Sequence, residues 1–292
     1  MAHIRIVDII GSLTVADRTL QHLRGIDLRH SPYGYGAQIT GRNAVVCSVN
    51  WNGVHYAMKC YLREWSRGEA VCNLISSSPS HAIPDITYLP SELFVATDPQ
   101  KPALLDVVLY PWQKGYTLDF EIARCAHNDD RERLALIARN FVTLATEILD
   151  GPWRHGDLKP VNIMVSPQGT LSLIDLDALY APELPPSNEA GTYGFVHPAR
   201  GEAYDSHIDD YPMALICVVL HALIANPSLR EHYPTSNNLL MMPDELVGQS
   251  SEALPEVMKA VADNAALVEL CHALTNKESY KIDNLKEILQ HV

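Results

Sequence analysis

The amino-acid sequence predicts an α+β protein in two parts: a small antiparallel β-sheet lobe over residues 1–112, then a larger, mainly helical lobe over 113–292. Three observations predict it. Apolar and polar residues alternate through AVVCSVNWNGVHYAMKCYL, with Asn52-Gly53 between the two runs, a strong short-range hairpin signal. From about residue 116 the period lengthens, and Leu134, Ile137, Phe141, Leu144 and Ile148 recur at the spacing of one apolar helix face. Further on, HIDDYPMALICVVLHALI is apolar almost all round, as a helix buried at the centre of a lobe must be.

Taken in order, the first 32 residues carry weak signals, and TVADRTLQHLRG reads as a short helix capped by Thr14. YGYGAQITG and the two arms of the Asn52-Gly53 hairpin give three strands. REWSRGEAVCNLISS reads as a helix of roughly three turns, ended by the Ser/Pro stretch that follows. ELFVAT and ALLDVVLYPW add two strands around an Asp98-Pro99 turn, so the first lobe is expected to hold five strands and one helix. In the second lobe the long helix ends at Gly151-Pro152, and NIMVSPQGTLSLIDL forms two short strands around a Pro-Gln-Gly turn. Leu254 to Val292 holds two or three amphipathic helices.

Composition excludes several classes. With 47% hydrophobic and 20% charged residues, the chain is neither disordered nor fibrous. Its 22 Lys+Arg against 35 Asp+Glu leave a net charge of -13, which repels nucleic-acid phosphates and anionic lipid. Arg131 and Arg133 sit among acids and read as helix surface rather than as a basic patch. The six cysteines are scattered without a Cys-x-x-Cys pair, mostly in apolar runs, as buried thiols of a reducing compartment rather than a zinc or redox site. MAHIRIVDIIGSL lacks a long apolar h-region and cleavage site, and Met213 to Ile224 is too short to span a bilayer. The expectation is a cytoplasmic protein without nucleic-acid or membrane partners.

The chemistry concentrates in WRHGDLKPVNIMV and LSLIDLD. Asp157, Lys159 and Asn162 lie in a short loop before a hairpin, and Asp175 lies at the hairpin's far end. A hairpin brings its ends together, so Asn162 and Asp175 can converge; two side-chain oxygens there suit Mg2+, a hard cation that shares phosphate oxygens. Asp157 is then near enough to orient an attacking hydroxyl, and Lys159 to offset charge on a moving phosphoryl group.

This segment resembles the catalytic loop and metal-binding motif of eukaryotic-type protein kinases, His-Arg-Asp-x-x-x-x-Asn followed by Asp-Phe-Gly. His155, Gly156, Asp157 and Asn162 fall on the first, and Asp175, Leu176 and Asp177 on the second. HYAMKCYL resembles the third-strand motif, which implies that Lys59 engages the α- and β-phosphates of ATP. The resemblance further implies Glu69 as the helix partner of Lys59. It makes YPWQKGYTLDF the hinge, with adenine bonded to backbone from Pro111 through Trp112 to Gln113 and the pocket lined by Leu109 or Tyr110. It places Thr192 of GTYGFVHPA at the end of an activation segment, and sets Asp209 to accept bonds from the catalytic-loop backbone. The implied fold is the two-lobed kinase fold.

The chain also departs from that pattern. Gly156 replaces the arginine that pairs with a phosphorylated activation loop, and His-Gly-Asp resembles small-molecule kinases of the aminoglycoside phosphotransferase type. Leu176-Asp177 replaces Phe-Gly. Gly34 and Gly36 precede Gly41 without the Gly-x-Gly-x-x-Gly form; counting back from Lys59 puts the phosphate-covering turn at Thr40-Gly41-Arg42. His197-Pro198-Ala199 replaces Ala-Pro-Glu, so the missing glutamate's buried ion pair needs a local substitute. The leading expectation is an ATP- and Mg2+-dependent Ser/Thr protein kinase, its protein substrate mildly favoured to be basic. A small-molecule acceptor and a non-catalytic binding module are the alternatives.

Overall fold

The structure, a computed structural model, describes residues 4–28, 38–40, 44–96 and 102–292. Gly34, Gly36, Gly41 and the Asp98-Pro99 turn lie outside the described residues. The chain divides into two compact units, 1–112 and 113–292. The first is an antiparallel sheet with helices, the second mostly helical.

In the first unit the sheet holds β1 (Asp27–Leu28), β2 (Gln38–Thr40), β3 (Ala44–Trp51), β4 (Val54–Tyr61), β5 (Thr87–Val95) and β6 (Ala103–Pro111). Its order is β1-β3-β4-β6-β5, with β2 also on β3. β3 and β4 pair from Ala44↔Tyr61 to Trp51↔Val54. Asn52 (φ 49°) and Gly53 (φ 78°) take the left-handed conformations that a two-residue turn of matching twist requires. Successive side chains alternate between faces. Met58 and Cys60 therefore join Val45, Cys47, Val49, Val107 and Leu109 in one buried cluster, and Lys59 stands on the other face.

That cluster is closed by two helices, α1 (Ile6–Leu13) and α2 (Ala16–Thr19), through Ile9, Leu13 and Leu20, and by Leu23 beyond them. The single Thr14-capped helix is thereby corrected. The first helix starts at Arg5, whose amide donates to Asp8 Oδ2 at 2.9 Å, while the Thr14 hydroxyl donates to the Gly11 carbonyl at 2.6 Å and ends the helix. β5 is longer than ELFVAT, because Ser91 (φ 53°) absorbs a register shift between Leu89 and Leu93 that hides the alternation. Fully buried Glu92 accepts the amides of His22 and Leu23 at 2.8 Å, tying the N-terminal helices to the sheet. The predicted helix from Arg63 shortens to α3 (Gly68–Ser77). Trp65 stays outside it, stacked on Tyr61 at 4.8 Å, and a Cβ on Gly68 would meet the Trp65 ring at 2.6 Å.

In the second unit, β7 (Tyr116–Thr117), β8 (Ile163–Val165) and β9 (Leu171–Leu173) form a small sheet beside α4 (Leu118–His127) and α5 (Arg131–Asp150). All five residues of the predicted stripe are buried in α5. α6 (Asp210–Ala225) buries 13 of its 16 residues and is the centre of the unit. Around it lie α7 (Leu229–His232), α8 (Pro243–Gly248), α9 (Leu254–Ala260), α10 (Ala265–Leu274) and α11 (Leu285–Leu289). Arg131 and Arg133 do more than coat a helix. Arg133 donates to the carbonyls of Ser166 and Pro167 at 2.7 and 2.9 Å, fixing the β8–β9 turn, and Arg131 caps the last carbonyls of α6, Ile224 and Ala225. All six cysteines are buried and unpaired by disulfides. Among the described residues no helix is long and apolar enough to cross a membrane.

Candidate functional site

The β8–β9 hairpin fixes the ends of the loop that precedes and follows it. Ile163 pairs with Leu173, and the Ile174 amide donates to the Asn162 carbonyl at 2.9 Å, so Asn162 and Asp175 flank the same end of the ladder. Asn162 closes a tight turn over Pro160–Asn162 and is buried. Its Nδ2 donates to the Asp157 carbonyl at 2.9 Å and approaches Asp157 Oδ2 at 3.4 Å, which turns its own Oδ1 away from that carbonyl. Asp175 adopts φ 64°, ψ 63°, a left-handed conformation that Asp tolerates better than most side chains, and it opens the turn Leu176–Ala178. Leu176 is fully buried.

Asp157, Lys159 and Thr192 meet. Lys159 Nζ donates to Asp157 Oδ2 and to Thr192 Oγ1, each at 2.6 Å, across 33 residues of sequence in the second case. The other carboxylate oxygen, Asp157 Oδ1, is buried without a hydrogen-bond donor among the described residues. One oxygen is thus neutralised by a cation, and the other is left as an acceptor. No group of three or more His, Cys, Asp or Glu among the described residues is arranged to hold a metal, so any ion here relies on Asn162 and carboxylate oxygens.

The loop is held from beneath. The amides of His155 and Gly156 donate to Oδ2 and Oδ1 of Asp209, at the start of α6, the latter at 3.0 Å. Burial pushes the Asp209 carboxyl up from its ordinary range, opposed by His155 and by these two amides. His155 is fully buried; its Nδ1 accepts the Asp157 amide and its Nε2 bonds the Ile174 carbonyl, so it is a packing and backbone-bonding residue. Gly156 has φ +81°, and a Cβ there would lie 2.0 Å from the Ala178 carbonyl oxygen. No arginine, nor any other side chain, fits at this position without moving the backbone. Arg154, which the sequence gave no reason to single out, donates to the carbonyls of Ile148, Gly151, Trp153 and Ser206 and fixes the approach to the loop.

The segment after Asp175 is tied down without an Ala-Pro-Glu glutamate. Tyr204 donates its hydroxyl to the Leu179 carbonyl at 2.6 Å, and buried His197 bonds the Asn276 carbonyl at 2.8 Å and accepts the Ala199 amide at 3.0 Å. In the same region Asp205 receives Lys281 at 2.8 Å and the Tyr280 hydroxyl at 2.7 Å, a partly exposed pair and not a buried one. Burial pushes the Asp205 carboxyl up, but those two donors and the His207 amide outweigh it and hold the group below its usual range. Asp210 binds His207 at 2.8 Å and the Ile282 amide at 3.1 Å, and burial raises it to about 6. The sequence could not signal Tyr280, Lys281 and Ile282 as partners, since they lie more than 70 residues from the carboxylates they meet.

In the first unit, Lys59 is buried at the middle of β4, between Val46 and Val108, with its Nζ 5.1 Å from the centre of the Tyr61 ring. Glu69 is exposed in the first turn of α3 and makes no ion pair among the described residues. Leu109 lies in the apolar cluster on the face opposite Lys59, because it pairs with Met58 while Val108 pairs with Lys59. Tyr110, next along β6, is buried on the Lys59 face. Pro111 has no N–H, and the Trp112 amide donates to the His55 carbonyl at 3.0 Å, with the Trp112 ring stacked on His55. Neither amide is available to a ligand. Gln113 opens the second unit and accepts the Ser172 hydroxyl at 3.2 Å. The chain matches no protein-family model and no curated protein.

Proposed function

We propose that the chain has a protein kinase-like fold and transfers the γ-phosphoryl group of Mg-ATP to a Ser/Thr hydroxyl of a protein. The observation that carries this reading is Asp157, with Oδ2 held by Lys159 and Oδ1 without a donor, on a loop clamped through its own amides by Asp209.

The Asp157 carboxylate is assigned to accept the hydrogen bond of the incoming hydroxyl, which for the buried Oδ1 requires the groups covering it to part; Lys159 offsets charge on the transferred group, and Thr192 holds Lys159 in reach of it. Asn162 Oδ1 and the Asp175 carboxylate are the hard oxygen ligands that suit magnesium, and the bond from Asn162 Nδ2 to the Asp157 carbonyl fits that role by presenting the amide oxygen outward. When bound, the metal supplies positive charge to the phosphate oxygens. Lys59, buried on its strand, is assigned to the α- and β-phosphates. Adenine recognition by backbone between Pro111 and Gln113 is kept without the Pro111 and Trp112 amides, and of the two pocket-lining candidates, Leu109 and Tyr110, the one on the Lys59 face is Tyr110. The acidic balance favours a basic acceptor segment.

Gly156 favours a second reading, a small-molecule acceptor, since the glycine required there is also what the small-molecule phosphotransferases carry. The test is transfer of labelled phosphate from Mg-ATP, with a basic protein or with candidate metabolites, comparing wild type with Asp157→Ala. Label on protein that disappears in the variant supports the kinase reading. Label on metabolite alone moves the assignment to the second, and ATP binding with no transfer to any acceptor rejects both.

A further inference from the structure

Asn237, in the connection between α7 and α8, is buried and has every donor and acceptor position of its amide engaged. Nδ2 donates to the carbonyls of Gly194 and Met241 at 2.8 and 2.9 Å; Oδ1 accepts the Leu239 amide at 2.9 Å and the Thr235 hydroxyl at 2.7 Å. A backbone amide only donates and a carbonyl only accepts, so the network admits one orientation of this side chain. The approach to Gly194 also needs glycine: its φ is +93°, and a Cβ would stand 2.9 Å from the Cβ of Asn237.

The same part of the chain reaches the preceding residue. Tyr193, 73% exposed, donates its hydroxyl to Asp244 Oδ2 at 2.8 Å, in the first turn of α8. Two consecutive residues are therefore tethered, one through its carbonyl and one through its side chain, directly after Thr192. The Thr192 hydroxyl is the group that receives Lys159, and Lys159 is the group that neutralises Asp157.

We propose that Asn237 is a positioning residue for phosphoryl transfer: by fixing the Gly194 carbonyl it holds Thr192 where its hydroxyl keeps Lys159 on Asp157, and the Tyr193–Asp244 bond is a second, exposed tether on the same loop. This rests on reading Asp157, Lys159 and Thr192 as a phosphotransfer site. A buried amide with four satisfied bonds is a more rigid anchor than the exposed Tyr193–Asp244 bond, because three of its four partners are buried backbone groups.

Two variants separate positioning from simple stabilisation. Asn237→Asp sets a carboxylate oxygen against two carbonyls, whereas Tyr193→Phe removes only the exposed bond and leaves the interior intact. In the transfer assay Asn237→Asp is expected to lower kcat about tenfold and Tyr193→Phe about threefold, with KM for ATP unchanged. In a Thr192→Ala background the loss from Asn237→Asp shrinks to about twofold or less, because the effect runs through Thr192. Fully additive losses, or losses confined to KM for ATP, overturn the proposal.

Amide hydrogen exchange over 191–195, measured on the same proteins, is expected to quicken in both variants whether or not phosphate is transferred. Unchanged exchange overturns the clamp even if transfer is intact. A wild type that transfers no phosphate sinks the functional reading alone, and the exchange result still decides whether Asn237 holds the loop.

Discussion

Asp209 accepts the amide of Gly156 at 3.0 Å, joining the start of the central helix to a loop 53 residues earlier in the chain. With the His155 amide on its other oxygen, the carboxylate satisfies two backbone donors that are buried away from water. Removing it in Asp209→Ala leaves both unsatisfied, and charge-assisted bonds of this kind predict a loss of about 2–4 kcal/mol. Urea unfolding measures it. Asp209→Asn keeps the volume and one acceptor and is expected to lose less than Asp209→Ala but more than nothing; no loss at all in Asp209→Asn would show that volume, not hydrogen bonding, matters here.

Asp210 gives the fold a pH dependence of unusual sign. Its folded carboxyl stands at about 6 against 3.8 for the free group, because burial outweighs the bonds from His207 and the Ile282 amide and the adjacent Asp209 adds repulsion. Between those values the folded chain holds a proton that the unfolded chain has released. Stability therefore falls as pH rises from about 4 to 6, by roughly 3 kcal/mol for this group alone. Asp209 is shifted in the same direction and Asp205 in the opposite one, the latter acting below the window. Unfolding free energies measured across that range are expected to show a flatter slope in Asp210→Asn than in wild type. Identical slopes would exclude Asp210 as the titrating group.

Gly156 is predicted to reject any side chain. Gly156→Ala has to relieve both the positive φ and the contact with the Ala178 carbonyl, at a cost of about 1–3 kcal/mol for the backbone strain with the steric clash added to it. Thermal melting and the transfer assay should both report the damage. Gly156→Arg should be worse, not better, although it restores the arginine of the kinase pattern; gain of activity would show that the loop rearranges freely.

Leu109 and Lys59 test the assignment of the two sheet faces. Leu109→Ala removes core volume and is expected to destabilise the protein by about 2–5 kcal/mol. At temperatures where the variant remains folded, its affinity for ATP should be unchanged. Lys59→Ala should instead weaken nucleotide binding. Calorimetric titration of both variants checks this, and reversed outcomes would reverse the faces.

How much of this was legible in the sequence depends on how local the information is. The Asn52-Gly53 hairpin was, because two residues with positive φ and the strand period around them determine it. So was α5, whose buried stripe is written at helical spacing, and so was the convergence of Asn162 with Asp175, since a hairpin of fixed register carries its two ends to one place. The N-terminal helix pair was misread because Thr14, a good starter by residue type, spends its hydroxyl as a donor. The face of Leu109 went unread because β6 is buried on both sides, so its apolar run carries no alternation to tell them apart.

The sequence by itself determined the strand and helix periods, the turn conformations and the cluster of chemistry-bearing residues between His155 and Asp175. Those follow from dihedral preferences and from spacings of a few residues, which any stretch of chain carries within itself. Only the tertiary structure decided that Lys159 reaches Thr192, that Asp205 finds Lys281 and Tyr280, and that Asn237 grips Gly194. A hydrogen bond between residues 33 to 76 positions apart exists only once packing of the helices around α6 has brought its donor and acceptor within 3 Å, and no local pattern records where that packing leads them.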